Sequence, residues 1–497
     1  EVTFVVRRNG TAIELKAKLD RWPLQLIQPE TPEVGSVDLR SATSRLVVAE
    51  DATAREQMLP SYQMGINSIG ASARMAYEDE LTDVASLRSS TWEVAEANER
   101  EVVFTKKVKV PEEEGTGTLE FIRRYRLVTD SARRTNNKGA EAKSADNPTA
   151  PSPYAAYHIE MDLEIRNLGD KALSVSYVLD GPNGLPMEGW WYTNKIHPSW
   201  GSAGARDVVW RINGSKHSLR SATQIYKLAR DAAEEGNAVD AITSMLTNAP
   251  SLEERTLDYL GVDTQYFAAV LRAGAMNSQE TFSCSEAYTM PIGDVPVLKG
   301  RGMKRLNTSF RMISDSQQIE PGASVSDQYH VFLGPKAPEV LEAYDLAGII
   351  EYGWFGKIAR PLSWLLHLFY ALIRNYGLAI VLLTVLVRGA MFPIGRKAAR
   401  NAQVMQELAP EIKKIKEKYK NDLEKQGQAQ RELWKKHNFN PLSGCWLMFL
   451  QLPIFIGLYR CLSVDINLRQ ASLIPGIHWC SNLAGPDMAW RWQGVLP

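Results

Sequence analysis

Along the first 350 residues the apolar positions come in short alternating or continuous runs. Two examples are Tyr157-His158-Ile159-Glu160-Met161-Asp162-Leu163-Glu164-Ile165 and Leu173-Ser174-Val175-Ser176-Tyr177-Val178-Leu179. Turn-forming clusters, Asn167-Leu168-Gly169-Asp170 and Asp180-Gly181-Pro182-Asn183-Gly184, close the two runs. A period of two makes one face of each strand apolar and leaves the other wet, which predicts a large, mainly-β sandwich. Two segments break the pattern. Residues 131–153 are rich in Lys, Asn, Ala, Ser and Pro with almost nothing to bury, and read as a disordered loop. Gln224 to Ala249 has helical spacing with an acidic patch at Asp231, Glu234 and Glu235, and reads as an inserted helical pair.

Past about Pro338 the period changes. Ile358, Leu362, Leu365, Leu366, Phe369, Leu372 and Ile373 recur at helical spacing with Lys357, Arg360 and Arg374 on the remainder. Such a helix lies along a membrane surface or caps a soluble core, and the pattern alone fits both. Gly377 to Ile394 is an 18-residue apolar stretch broken by Arg388, and Leu442 to Leu462 is a 21-residue one with Ser443, Gln451 and Arg460 as its polar members. A membrane span takes about 20 predominantly apolar residues, so the second qualifies and the first is borderline. The boundaries read from this pattern are a β domain at 1–345, an interfacial helix at 346–376, a span at 377–394, a basic helical hairpin at 395–439, a second span at 440–463, and the start of a further loop at 464–497.

Charge separates these parts. The 497 residues carry 57 Lys+Arg and 57 Asp+Glu, but residues 351–497 hold 19 and 9 of them, so a neutral total hides −10 in the first 350 residues and +10 in the rest. A mean hydropathy of −0.25 places most of the chain outside membrane. The positive excess is concentrated in residues 395–440, with twelve Lys+Arg against six acids, whereas the 26 residues before the first span carry three and the 35 after the second carry two. In a loop this short, such a bias puts the basic stretch in the cytoplasm and the β domain outside. Within it Met405, Leu408, Ile412, Ile415 and Tyr419 step by three and four, and Leu423, Leu433 and Trp434 supply a return face. That spacing predicts two helices zipped along an apolar seam, with Lys413, Lys414, Lys416, Lys418, Lys420, Lys435 and Lys436 outward, although a charge run is also simply a solvated face.

Candidate chemistry is sparse. Seven histidines lie far apart in sequence, with no metalloprotease, nucleophile-elbow or phosphate-loop motif, and the lone Gly300-Arg301-Gly302 carries no weight. The four cysteines, Cys284, Cys445, Cys461 and Cys480, have neither disulfide-scaffold nor metal-site spacing. No catalytic residue, metal set or cofactor is therefore expected, and no leader is read at Glu1. Trp190, Trp191 and Tyr192 with Trp200 either stack on a sugar ring or fill a sandwich core. Arg388 is the informative residue. Eleven residues beyond Gly377 at about 1.5 Å each, it lies roughly 16 Å into a hydrocarbon layer about 30 Å thick. A guanidinium at that depth costs at least about 2.5 kcal/mol, so it either faces a hydrated interior or snorkels to the cytoplasmic edge. Thr384, one turn earlier on the same face, and Gln451 on the other span would line a hydrophilic groove with it.

Several landmarks then occur in order: Asn375-Tyr376-Gly377; Val387-Arg388-Gly389-Ala390-Met391-Phe392-Pro393; Leu408-Ala409-Pro410; Asn440-Pro441-Leu442-Ser443-Gly444-Cys445; Gln451-Leu452-Pro453-Ile454-Phe455; and Leu468-Arg469-Gln470-Ala471. Across residues 350 to 475 this series resembles the YidC membrane-protein insertase family. The acidic β domain resembles, by position and strand pattern, the periplasmic supersandwich of its Gram-negative members, related in fold to mutarotase domains. The resemblance implies that Arg388 is the groove arginine, with Thr384 and Gln451 as polar groove residues. It places Leu452, Pro453, Phe455 and Ile456 on a hydrophobic slide for the substrate's transmembrane segment. It also implies that the basic hairpin meets ribosomes, signal-recognition machinery or the nascent chain, and that the partners are nascent membrane proteins, the Sec translocon and the lipid bilayer rather than any specific nucleic-acid sequence. The location implied is the bacterial inner membrane, multi-pass, with residues 1–345 in the periplasm. Such relatives have a leading anchor and three further spans that this sequence does not show. The expected function is insertion and chaperoning of membrane proteins; the alternative is a membrane-anchored glycan-binding or glycan-processing protein acting through its β domain.

Overall fold

In the computed structural model the described residues are 2–8, 11–17, 61–75, 78–111, 117–127, 157–183, 185, 195, 203–213, 215–235, 245–246, 256–273, 280–292, 303–304, 306–420, 422–437, 441–469, 471–474 and 483–484. The chain divides into two compact units: residues 1–197 with 201–350, and residues 351–497 with 198–200. The first is mainly β and the second helical. The change of hydrophobic period and the change of charge sign therefore both fall close to the unit boundary.

The first unit holds a two-stranded antiparallel pair, Val2–Arg8 with Thr11–Ala17, and two larger antiparallel sheets. The larger runs, edge to edge, through Ser218–Arg220, Asp207–Ile212, Thr256–Asp263, Phe267–Ala273, Ser324–Pro335, His158–Asn167, Thr118–Leu127, Glu101–Lys109 and Glu93–Ala97, with Phe282–Ser283 beside Thr256–Asp263. The smaller runs through Glu286–Pro291, Thr308–Ile313, Leu173–Asp180, Met64–Ile69 and Ser72–Ala73, with Gln317–Ile319 also on Leu173–Asp180. Alternation decides which face is inside. On His158–Asn167 the side chains of Met161, Leu163 and Ile165 are buried, while Glu160, Asp162, Glu164 and Arg166 remain partly exposed. Met64, Ile66, Tyr177 and Leu179 from the smaller sheet join the same apolar cluster, so the two sheets close face to face as a sandwich. The helix expected after Gln224 is α1, Ala222–Glu235. Ser221 and Gln224 cap it reciprocally, Gln224 N donating to Ser221 Oγ at 3.3 Å and Ser221 N to Gln224 Oε1 at 2.9 Å. Its inner face is Ala222, Ile225, Tyr226, Ala229 and Ala232, and Asp231 and Glu234 point outward. The second arm of the expected pair, the 131–153 loop, Gly300 to Gly302 and the tryptophan cluster at Trp190, Trp191 and Trp200 lie outside the described residues.

Two sets of buried charges in this unit are matched. Lys195, Asp207, Asp263 and Lys336 are all buried: Lys195 Nζ lies 2.9 Å from Asp207, Lys195 also pairs with Asp263, and Lys336 Nζ is 2.7 Å from Asp263. Burial opposes the Asp263 charge, but the two lysines outweigh it and hold the carboxyl below its ordinary value. A second set joins Arg311, buried on a strand covered on both faces, to Asp180 at 2.7 Å and Asp79 at 2.6 Å, while Arg88 reaches Asp180 at 2.7 Å.

The sequence passes into α2 (Pro338–Ala343), which ends the β unit, and then α3 (Gly356–Ile373), α4 (Tyr376–Lys418), α5 (Leu423–Lys436) and α6 (Pro441–Val464). The pattern placed a span at 377–394 and a separate hairpin after it. In the structure α4 runs unbroken from Tyr376 through Pro393 and Pro410 to Lys418, so one helix is both the first apolar segment and the first arm of the basic hairpin.

Candidate functional site

The helical unit is assembled around the short turn between α3 and α4. Arg374 takes a left-handed conformation, φ 59°, and its N–H reaches back to Tyr370 O at 2.7 Å to end α3. Asn375 then starts α4, its side chain accepting from Leu378 N at 2.9 Å. Tyr370 and Tyr376 stack across the turn with ring centroids 3.8 Å apart. Helices α3, α4 and α6 pack on one another. Glycine permits a close approach of α6 to α3, because a Cβ on Gly457 would sit 2.8 Å from Ile358 Cγ2. Two polar contacts join the same elements: Arg460 donates to Tyr352 O at 2.9 Å, and His367 Nε2 lies 3.0 Å from the buried Asp465.

What packs is a narrow stripe of α4. Tyr376, Ala379 and Leu383 are buried, stepping by three and four, whereas Leu378, Val381, Leu382, Val385, Leu386 and Phe392 are exposed. Tyr376–Pro393 has a mean hydropathy of 1.8 with only 17% of it buried. A core helix of a soluble domain hides such a surface; this one presents it outward, as a helix in lipid does. Among the described residues this is the one window long and apolar enough to cross a membrane. On α6 the side chains of 441–451 lie outside the described residues, so Gln451 is placed on that helix and no further. Its remaining apolar part is Leu452–Val464.

Arg388 stands on α4 as an exposed side chain with no ion-pair partner among the described residues. The expectation was a guanidinium that either faces a hydrated groove or snorkels to the cytoplasmic edge; its side chain projects from the apolar surface of α4, on which Tyr376, Ala379 and Leu383 form the packed stripe. Thr384, one turn earlier, is half-buried and its hydroxyl donates to Ile380 O at 2.8 Å, which satisfies it within the helix. On α6, Leu452 is 55% and Phe455 67% exposed, with Pro453 and Ile456 half-buried. Tyr459, 63% exposed and one turn beyond Phe455, extends that apolar stripe; the sequence reading missed it, although its i,i+4 spacing from Phe455 was the available signal.

The basic arm of α4 packs against α5. Leu408 and Leu433 are buried, and Ile412, Ile415, Tyr419 and Trp434 are half-buried, forming the expected seam. Met405 and Leu423 are exposed and leave it, since α5 begins only at Leu423, immediately after its cap Asp422. Lys413, Lys414, Lys416, Lys418, Lys420, Lys435 and Lys436 are all exposed.

Comparison with known proteins bears on this geometry. Residues 194–365 match the family described as the YidC periplasmic domain, and residues 368–497 match the family described as the 60Kd inner membrane protein. The chain belongs to the YidC family. Among its relatives, the membrane protein insertase YidC of Pelobacter propionicus is 33% identical over 246 residues, which cover 49% of this chain and 41% of that protein. That of Geotalea daltonii is 37% identical over 176 residues, 35% of this chain and 33% of the relative. That of Pseudoalteromonas atlantica is 31% identical over 284 residues, 56% and 52%. The matches thus span about a third to a half of the relatives' lengths. Among solved structures, a galactose mutarotase-like protein from Lactobacillus casei covers 55% of this chain and 84% of its own, at 9% identity and a TM-score of 0.29, a likeness too low to bear on fold or function.

Proposed function

We propose that this YidC-family chain acts as a membrane protein insertase and membrane chaperone in the bacterial inner membrane, crossing it more than once with the β unit on the periplasmic side. The observation that carries the reading is Arg388, without an ion-pair partner among the described residues, in the apolar Tyr376–Pro393 segment of α4. A charge kept at that depth despite its cost is expected to serve a substrate. A polar tail cannot cross hydrocarbon unaided, because its backbone and charges find no partners there. Arg388, with Thr384 and Gln451, offers a transient Coulomb and hydrogen-bonding partner part-way through. The exposed stripe of Leu452, Phe455 and Tyr459, flanked by Pro453 and Ile456, receives the substrate's apolar segment, whose burial in lipid drives the step. The seven exposed lysines of the hairpin form a compact basic surface suited to ribosomal RNA, signal-recognition machinery or the emerging chain, and the same activity can run alone or beside the Sec translocon.

The test is insertion of a single-span substrate with an acidic extracellular tail into liposomes holding the full-length protein. Arg388→Ala is expected to slow insertion on the order of tenfold, the equivalent of about 1.4 kcal/mol, with Arg388→Lys retaining most of it. Equal rates for wild type and Arg388→Ala remove this residue from the mechanism.

A further inference from the structure

The seven histidines are scattered in sequence, yet strand pairing brings two of them together with a carboxylate. We infer that His158, Glu160 and His330 form a binding site for a divalent transition-metal ion of the zinc type on the outer face of the large sheet. The register of His158–Asn167 against Ser324–Pro335 sets Glu160 opposite His330 and His158 opposite Phe332. The three side chains therefore stand on one face, Glu160 and His330 as a direct cross-strand pair and His158 diagonal to His330. The two imidazoles stack, ring centroids 4.8 Å apart and planes 14° from parallel. His330 Nε2 lies 3.9 Å from Glu160 Oε1, and one ligand atom from each residue falls within 4.8 Å of the other two. Ligand atoms around a tetrahedral zinc at about 2.0–2.1 Å are about 3.3 Å apart, so small side-chain rotations close the set. Two imidazoles and one carboxylate suit zinc or a neighbouring first-row ion and leave a coordination position for water.

The surroundings support this assignment. The Tyr344 hydroxyl, 2.7 Å from His158 Nδ1, fixes the plane of that ring as the outer partners of metal-bound histidines do. Two cations oppose the ion and must be accommodated. Arg126 holds Glu160 at 2.8 Å but also approaches Glu101 at 3.6 Å and Asp162 at 3.8 Å, so it keeps partners when Glu160 turns to the metal. Arg272 is engaged by the Tyr344 carbonyl and lies 4.0 Å from Asp345. His158 is buried while Glu160 and His330 are only partly covered, which leaves a way in from solvent.

The test titrates zinc chloride into the chelator-stripped full chain in detergent, followed calorimetrically, with cobalt(II) absorption as a second readout. One equivalent is expected, with tetrahedral cobalt bands. His330→Gln and Glu160→Gln should each weaken zinc at least about tenfold and abolish the cobalt bands, while His437→Gln, an exposed histidine at the end of α5, should change neither. Arg126→Gln should tighten zinc by releasing Glu160, whereas a purely structural role for the Arg126–Glu160 pair predicts no gain. Absence of stoichiometric binding to the wild type overturns the site, as does zinc affinity unchanged by His330→Gln. Should His330→Gln fail to fold, the wild-type cobalt spectrum and the Arg126→Gln titration still decide: octahedral cobalt, or no gain on releasing Glu160, overturns it.

Discussion

The two units handle charge in opposite ways. In the β unit every member of the Lys195, Asp207, Asp263 and Lys336 set is buried and paired, two positive groups against two negative. In the helical unit Arg388 stands exposed, with no ion-pair partner among the described residues, beside Leu378, Val381, Val385 and Phe392, which are exposed too. A water-soluble sandwich can keep ions inside only by mutual compensation, since an uncompensated one costs several kcal/mol. The apolar segment of α4 reverses both conventions, with apolar side chains turned outward and a charge standing among them. Paired charge in this molecule is thus architecture, and unpaired charge is a candidate for function.

That contrast is broken most severely at Asp263. Asp263→Asn leaves Lys336 without its carboxylate and Lys195 with Asp207 alone, in surroundings that exclude water. The expected cost is about 3–5 kcal/mol, read from urea unfolding of the chain in detergent followed by near-UV circular dichroism. A loss below about 1 kcal/mol would mean that the set is hydrated and not a buried network.

The next effect concerns pH. His217 sits beside this network with Nδ1 2.7 Å from the Tyr259 hydroxyl, and burial, followed by the opposing influence of Asp263 and the repulsion of Lys336, Lys195 and Arg211, lowers its pKa to about 4 from 6.5. Below 6.5 the unfolded chain takes up a proton that the folded chain refuses. Its stabilising contribution is therefore complete above pH 6.5 and is lost as pH falls toward 4, on the order of 3 kcal/mol in all. His217→Gln should flatten the stability profile across that window; an unaltered slope would place the titration elsewhere.

In the helical unit the packed stripe is the counterpart of the paired charges. Gly457→Val puts methyl groups where Ile358 Cγ2 already lies 2.8 Å from an added Cβ, and overpacking of this kind costs about 1–3 kcal/mol. A fall in the thermal midpoint of the helical unit without change in the β unit's near-UV signal is expected. Equal loss in both signals would show that the two units unfold together.

How much of this was legible in the sequence follows from the same physics. The alternation at His158–Asn167 showed which residues face the core, because period two needs no partner strand to be read, whereas on Leu173–Asp180 the face expected to be wet is covered too, with Ser176, Val178 and Asp180 buried. The change of period and of charge sign located the helical part. The continuity of α4 was not legible: Pro393 and Pro410 suggest boundaries, but each removes only one helical hydrogen bond, and in a 43-residue helix the rest hold. Neither was the meeting of His158, Glu160 and His330, which depends on the register between two strands distant in sequence. Arg388 was found from the cost of charge in an apolar run, whereas its surroundings depend on side chains that no local pattern specifies.

The smallest expected change is the sharpest test of the comparison. If unpaired charge is not architectural, Arg388→Ala should leave the protein's thermal midpoint within about 2 °C of wild type, because no ion pair is lost among the described residues and no buried group is exposed. An arginine that costs energy in lipid should, once removed, leave the helix as stable or slightly more so. The measurement is a melting curve in bilayer-mimicking nanodiscs, where the cost is present, set beside one in detergent, where hydration relieves it. Unchanged or raised stability together with slowed insertion would assign the residue to substrate. A marked drop in nanodiscs would instead show that Arg388 has a structural partner in the membrane, and the distinction drawn between the two units would fail at its central residue.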